Sequence, residues 1–431
     1  MVKERAHAGE RRLDKVFVCA MLCLTLISAI QRKSGADESG SLSNEALWTF
    51  GYVLAAFRLL AMNRELRALL SRSAPLLVFL ALSLASTLWS VDPFVTLKNS
   101  IELVGTAIIA FYVVASLRLV EFLNVLAIFF GVSGLASVAL IFVSPGRGRM
   151  FWGSGAWEGI YEEKNALGTA AALAIVVFLT LILRRGTKYK MLAVGGLVLS
   201  ATQLLGSNSA TALVDCIAVV AIGLVALACV SPGFGGVSRI VALLGAALAA
   251  AGAVVVGFDQ DALYAALGRT QGLTGRVDFW PYLNEAVNAR PILGYGYGAF
   301  FRSPVSKDYL SYYVVEAGGW TPYHAHDSFL QTCLDTGYVG LAALLVAIFV
   351  SLFRAGAFFL RERDVVSLWP LLVTLFLVFG SYTETYVGNF NTLGTILFVT
   401  AFLYPIRANA GQPEPAPTWR TRRTIARART L

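Results

Sequence analysis

The sequence predicts an all-α polytopic membrane protein with about twelve transmembrane helices, each needing roughly 20 apolar residues, and one long loop between the ninth and tenth. Three observations predict it. First, 57% of the 431 residues are hydrophobic and only 14% are charged, against about 25% charged in soluble domains. Second, the apolar residues gather into separate runs, at 16–30, 46–62, 74–90, 100–117, 119–143, 166–183, 190–206, 212–230, 238–258, 329–353, 365–384 and 390–405. Third, Lys and Arg are concentrated in alternate loops, as membrane orientation requires.

The first run, Val16 to Ile30, follows Lys3, Arg5, Arg11, Arg12 and Lys15. No small-residue cleavage site follows it, so it reads as a retained helix and not as a signal peptide. The connectors carrying Arg58, Arg64, Arg67 and Arg72, then Arg118, then Arg184, Arg185, Lys188 and Lys190, then Arg239, then Arg354, Arg361 and Arg363 all fall on one side. With both basic termini they define the cytoplasmic face, which puts residues 259–328 outside. The net charge of +9 therefore reports orientation and implies no nucleic-acid partner. The five cysteines lie in or beside apolar runs and have neither metal-site spacing nor a disulfide framework.

The chain divides into residues 1–258 (helices one to nine), 259–328 (the outer loop), 329–405 (helices ten to twelve) and a basic, disordered tail at 406–431, which reads either as a contact for anionic membrane lipid or as an orientation signal alone. Four further outward segments are richer in polar residues than connectors need: Leu88–Pro93, Ser144–Asn165, Gly206–Thr211 and Glu384–Asn391. Topology sets them on the same side as the long loop. That loop holds Arg269, Arg276, Arg290, Arg302 and Lys307, both His324 and His326, many aromatics, and the turn from Gly294 to Gly298.

Four pieces resemble the superfamily of O-antigen ligases and Wzy-type O-antigen and exopolysaccharide polymerases. Thr274-Gly-Arg-Val-Asp-Phe-Trp280 with Arg290-Pro-Ile-Leu-Gly-Tyr-Gly-Tyr-Gly-Ala-Phe300 is similar to one family stretch. Ala325-His-Asp-Ser-Phe-Leu330 with Asp335-Thr-Gly-Tyr-Val-Gly-Leu341 is similar to another. Ser207-Asn-Ser-Ala-Thr211 resembles a ligase link, and Glu163-Lys-Asn-Ala-Leu-Gly168 resembles a polymerase motif. The resemblance implies a bacterial inner-membrane enzyme with a periplasmic active site. Such enzymes move a glycan from an undecaprenyl diphosphate carrier to an acceptor sugar hydroxyl, without a metal or other cofactor. A chain-length regulator or an export complex is the implied protein partner. Two positions depart from the family: Asp327 stands where Asn is usual, and Ala210 where a ligase-like Arg is usual. The second departure, with Lys164-Asn165, favours polymerase over ligase. A secondary transporter is the alternative from another class, but no internal repeat with midplane polar groups supports it.

The implied leaving group is a diphosphate, whose developing charge fixed cations stabilise. Arg276 is the first candidate because its fork meets two oxygens at once; a salt bridge with Asp278 is its structural alternative. Lys164 is the second cation candidate, with Asn165 beside it. Arg147, Arg149 and Arg290 are further substrate contacts by position. His326 is the candidate base: it stands at the start of the tenth helix, whose positive end disfavours imidazolium and can bind an anion. His324, with nothing evident to hold it, is expected to matter less. Glu384 and Asp215 are carboxylate alternatives for the base, with Glu384 counted among substrate contacts. No carboxylate or histidine cluster shows metal-ligand spacing along the chain.

Overall fold

The computed structural model describes residues 2–33, 42–150, 155–230, 276–316 and 321–409. The run at 238–258, Arg239, loop residues 259–275 with Arg269, and the tail beyond residue 409 lie outside the described residues, as does the side chain of Arg276. Among the described residues the protein is helical, and its β-pairing is an isolated bridge between Arg149 and Trp157.

The helices are α1 (Val2–Lys33), α2 (Leu42–Ala61), α3 (Asn63–Leu70), α4 (Ala74–Ala85), α5 (Pro93–Ser116), α6 (Leu119–Val143), α7 (Lys164–Leu183), α8 (Lys190–Gly206) and α9 (Ala210–Val230). After the undescribed segment come α10 (Arg276–Ala289), α11 (Val305–Glu316), α12 (Ser328–Glu362), α13 (Val365–Gly380) and α14 (Leu393–Asn409). Every expected run except 238–258 falls on one of them. Among the described residues five helices (α5, α6, α7, α9 and α12) are long and apolar enough to cross a membrane, and six if α2 and α3, bent by 101°, count as one span. At 17 and 16 residues, α8 and α13 are shorter than the roughly 20 that a bilayer takes. Large apolar side chains such as Phe50, Phe57, Val132, Phe349 and Phe353 are exposed on the outer surface of the bundle, where a lipid-facing surface needs them.

Local chemistry sets the helix starts. Asp92 accepts from the Val95 amide at 3.1 Å just before Pro93 opens α5, the preferred pairing of an N-cap acid with proline at the first helical position. Asp364 caps α13 in the same way, accepting from Val366 and Ser367.

The two ends of the bundle are chemically distinct. At one end Arg58 pairs with Asp14 at 2.8 Å and Lys15 with Glu121 at 3.2 Å. Arg407 donates there to the carbonyls of Val114 and Leu117. The four segments expected to face outward lie at the other end: the Trp89 indole donates to the Leu293 carbonyl, the Tyr297 hydroxyl to the Gly388 carbonyl, Trp157 N–H to the Gly206 carbonyl, and Asn165 Nδ2 to the Glu384 carboxylate.

The described part of the long loop folds as a small helical layer with its own apolar core of Phe279, Leu283, Tyr295, Phe300, Leu310, Tyr313 and Leu334. It is seated in a break in α12. Gly337 has φ 66° and ψ −167°, a conformation that a β-carbon would strain. The break opens the two helical bonds that Tyr338 and Val339 would make to Leu334 and Asp335. All four released groups are re-paired by the loop. Tyr338 and Val339 donate to the Pro291 and Ile292 carbonyls at 2.7 and 3.3 Å, and Tyr295 and Gly296 donate to the Leu334 and Asp335 carbonyls at 2.7 and 2.9 Å. Leaving such groups buried and unpaired costs about 1–3 kcal/mol each, so the break and the docked loop require one another. Beyond the break, the stretch of α12 from Tyr338 to Glu362 is by itself long enough for a bilayer's roughly 20 residues. Ser328–Thr336 forms a separate segment above it, carrying the His326 motif at its start.

Candidate active site

Four segments from distant parts of the chain converge at this second end of the bundle. His326 precedes α12, Glu384 follows α13, Glu163 to Asn165 open α7, and Ser209 lies between α8 and α9. The His326 and Glu384 side chains are both 8% exposed, with Nδ1 to Oε2 at 3.2 Å. The other oxygen of Glu384 accepts from Asn165 Nδ2 at 3.2 Å, and the oxygen of Asn165 accepts from Ser209 Oγ at 3.0 Å. An ionised Glu384 would accept from Nδ1–H and leave the lone pair on Nε2. Gly168, one turn along from Lys164, makes the approach possible: a β-carbon there would stand 2.8 Å from that of Ser209.

His326 is held in an uncommon backbone state, with φ at 51°, which costs a non-glycine residue about 1 kcal/mol or more. Its N–H donates to His324 Nδ1 at 3.0 Å, and the two rings lie 3.8 Å apart between centroids. The expectation that nothing holds His324 is therefore overturned. Beside it, Tyr323 donates to Glu162 at 3.1 Å. The expectation of an open, anion-binding helix end is also overturned. Asp327 accepts from the Phe329 and Leu330 amides at 2.7 and 2.8 Å. Ser328 N–H goes to Ser381 and Gln331 N–H to the Asp327 carbonyl. The first four amides of α12 are thus occupied, and its N-terminus has no donor left for a phosphate. Burial raises the Asp327 carboxyl to about 6, with its two amide partners opposing the rise.

The other expected site residues are spread more widely. Lys164 is the first residue of α7, directly after the N-cap Glu163. Arg149 extends from the bridge with Trp157 and lays its guanidinium over Phe142, with Arg147 in the single helical turn before it. Arg290 follows the end of α10 and lies over the Tyr295 ring at 5.0 Å. Arg276 is the first residue of α10, and its side chain is outside the described residues. Asp215 lies inside α9, with Oδ2 3.3 Å from where a β-carbon on Gly380 would sit.

Glu163 is the residue that sequence reasoning passed over. Its carboxylate, His326 and Glu384 offer donor atoms within 4.8 Å of one another. Spacing along the chain gave no such group, because its members come from three separate segments. The nearest available signal was its position immediately before Lys164-Asn165. His326 and Glu384 turn their donor atoms toward each other, and Glu384 is further engaged by Asn165. That arrangement suits proton handling.

Residues 195–345 match the family model of O-antigen ligase. The chain is also 27% identical over 356 residues to the exopolysaccharide production protein ExoQ of Rhizobium meliloti (strain 1021), covering 77% of this chain and 79% of that one. The resemblance to O-antigen ligases and polymerases holds. For an O-antigen-ligase-like protein the setting is polysaccharide biosynthesis in a membrane. The matched stretch includes His326, His324 and the whole described loop. Glu163, Asn165 and Glu384 lie outside it, so half of the His326 environment comes from parts of the chain that the ligase model does not span.

Proposed function

We propose that this protein polymerises oligosaccharide repeats carried on undecaprenyl diphosphate, at the periplasmic face of the bacterial inner membrane. The observation that carries the reading is the buried His326–Glu384 pair, set at one end of the bundle beside a loop with ligase-like motifs. In this scheme an acceptor sugar hydroxyl gives its proton to His326 Nε2 as its oxygen bonds to the anomeric carbon of the donor. The bond from that carbon to the diphosphate breaks, and undecaprenyl diphosphate departs. Glu384 holds the ring in the tautomer that can accept the proton and stabilises the imidazolium that forms. Asn165 holds Glu384. Arg276 and Lys164 take the charge building on the diphosphate, and Arg147, Arg149 and Arg290 bind the donor's outlying phosphate and sugar groups. The similarity to an exopolysaccharide production protein and Ala210 in place of a ligase-like arginine favour polymerisation over transfer to lipid A core. A chain-length regulator or an export complex is the partner expected for such an enzyme.

The test is reconstitution of the purified protein with undecaprenyl diphosphate-linked oligosaccharide, with and without EDTA. A ladder of repeats that persists in EDTA is the expected product. A single block moved onto lipid A core would establish the ligase reading instead. Strict dependence on a divalent ion would overturn the proton-transfer scheme and turn attention to the Glu163, His326 and Glu384 donors.

A further inference from the structure

We infer that Gln331, locked by Asp335, is a positioning residue for the His326 base. This rests on the role given to His326 above. Asp335 is 3% exposed and Gln331 8%, and they stand one turn apart on the first segment of α12, where side chains four residues apart meet. One carboxylate oxygen of Asp335 accepts both from Gly298 N–H and from Gln331 Nε2, each at 3.0 Å. That fixes which way round the Gln331 amide lies. Its oxygen must then face away from Asp335, and there it accepts from the Ala325 N–H at 3.0 Å. Ala325 is fully buried and directly precedes His326. Its carbonyl is held from the opposite side by the Trp280 indole at 2.9 Å.

Ala325 is thus clamped on both polar groups of its backbone. The clamp places His326 at the start of its strained φ, with the ring within reach of Glu384. The chain of bonds runs from the Gly294–Gly298 turn, through Asp335 and Gln331, to the residue beside the base. It ties the ring to the same loop docking that re-pairs the break at Gly337. None of these groups reaches the reacting atoms, so their effect on chemistry passes through where His326 stands.

The experiment compares Gln331→Met, Asp335→Leu and Asp335→Asn in the full-length protein. The first readout needs no substrate. The chain has three histidines, so ¹⁵N-histidine labelling resolves each ring and reports its tautomer. Q331M and D335L are expected to lose the single Nδ1–H signature of His326. D335N is expected to keep it, because the amide oxygen can accept the same two bonds. The second readout is glycan transfer. A displaced base lowers kcat by about tenfold to 10²-fold with KM unchanged in Q331M and D335L, while D335N stays near wild type. If Q331M fails to fold, Gln331→Asn, one methylene shorter, repeats the test. Wild-type ring signals and wild-type kcat in Q331M would overturn the inference. So would a loss in D335N equal to that in D335L. Absence of transfer in the wild-type protein would count against the proposed function, while the ring signals would still decide whether Gln331 positions His326.

Discussion

Glu384 faces the His326 ring across 58 residues of sequence, with Oε2 at 3.2 Å from Nδ1 and its second oxygen already taken by Asn165. The carboxylate therefore does two things at once, and an amide cannot do both. Glu384→Gln has a single acceptor oxygen, so it must give up either Asn165 or the imidazole N–H. If its NH₂ turns to the ring, the proton moves to Nε2 and the base is lost. E384Q is expected to reduce kcat by about 10², within the range for general-base assistance, with little change in KM. Initial rates over a range of donor concentrations check this. Unchanged kcat would remove Glu384 from the mechanism.

The two histidines should separate in a graded way. His326→Ala is expected to lose about 10² to 10⁴ in rate. His324→Ala deletes the acceptor of the His326 N–H and is expected to lose roughly tenfold, as a positioning defect. His324→Asn should recover much of this, because an Asn side chain accepts from the amide two residues on. Equal rates for H324A and wild type would show that the backbone bond is dispensable.

Asp327 gives a pH signature. Burial raises its carboxyl from 3.8 to about 6, so folding favours the protonated form. Its contribution to stability is fully present below pH 3.8 and is lost as pH rises through about 6. Asn caps a helix about as well as Asp and carries no charge to desolvate. Asp327→Asn is therefore expected to be more stable than wild type above pH 6, with the difference shrinking toward pH 4. Thermal unfolding of both proteins in detergent across that range measures it. A difference that grows as pH falls would contradict the assignment.

Arg276 is tested through its fork. Arg276→Ala is expected to abolish polymer formation in a protein that still inserts and folds. Arg276→Lys should restore little, since a point charge does not bridge two phosphate oxygens. Near-normal polymer from R276A would reduce the residue to a loop salt bridge.

Orientation is open to direct labelling. Ser306 is buried, so the informative position is the exposed Lys307 beside it. Lys307→Cys is expected to react with an impermeant thiol reagent in intact spheroplasts. Reaction only after lysis would invert the topology and place the His326 site in the cytoplasm.

The sequence by itself determined the helical membrane class, the course of the apolar runs and the shared face of the outward segments. These depend on hydropathy and on the distribution of Lys and Arg, which are properties of local stretches and survive without any knowledge of packing. The same local reading found His326, Asn165 and Glu384 one at a time. Only the tertiary structure decided that they meet, because Asn165 and Glu384 are 219 residues apart and no spacing rule connects them. It also brought in Glu163, showed that Asp327 fills a helix end expected to bind an anion, and revealed that His324 is bonded to the base it precedes. The break in α12 escaped for a related reason. The run at 329–353 reads as one uninterrupted apolar helix, and the break at Gly337 exists because four backbone groups gain partners from a loop about 40 residues earlier, as the pairing of backbone groups demands.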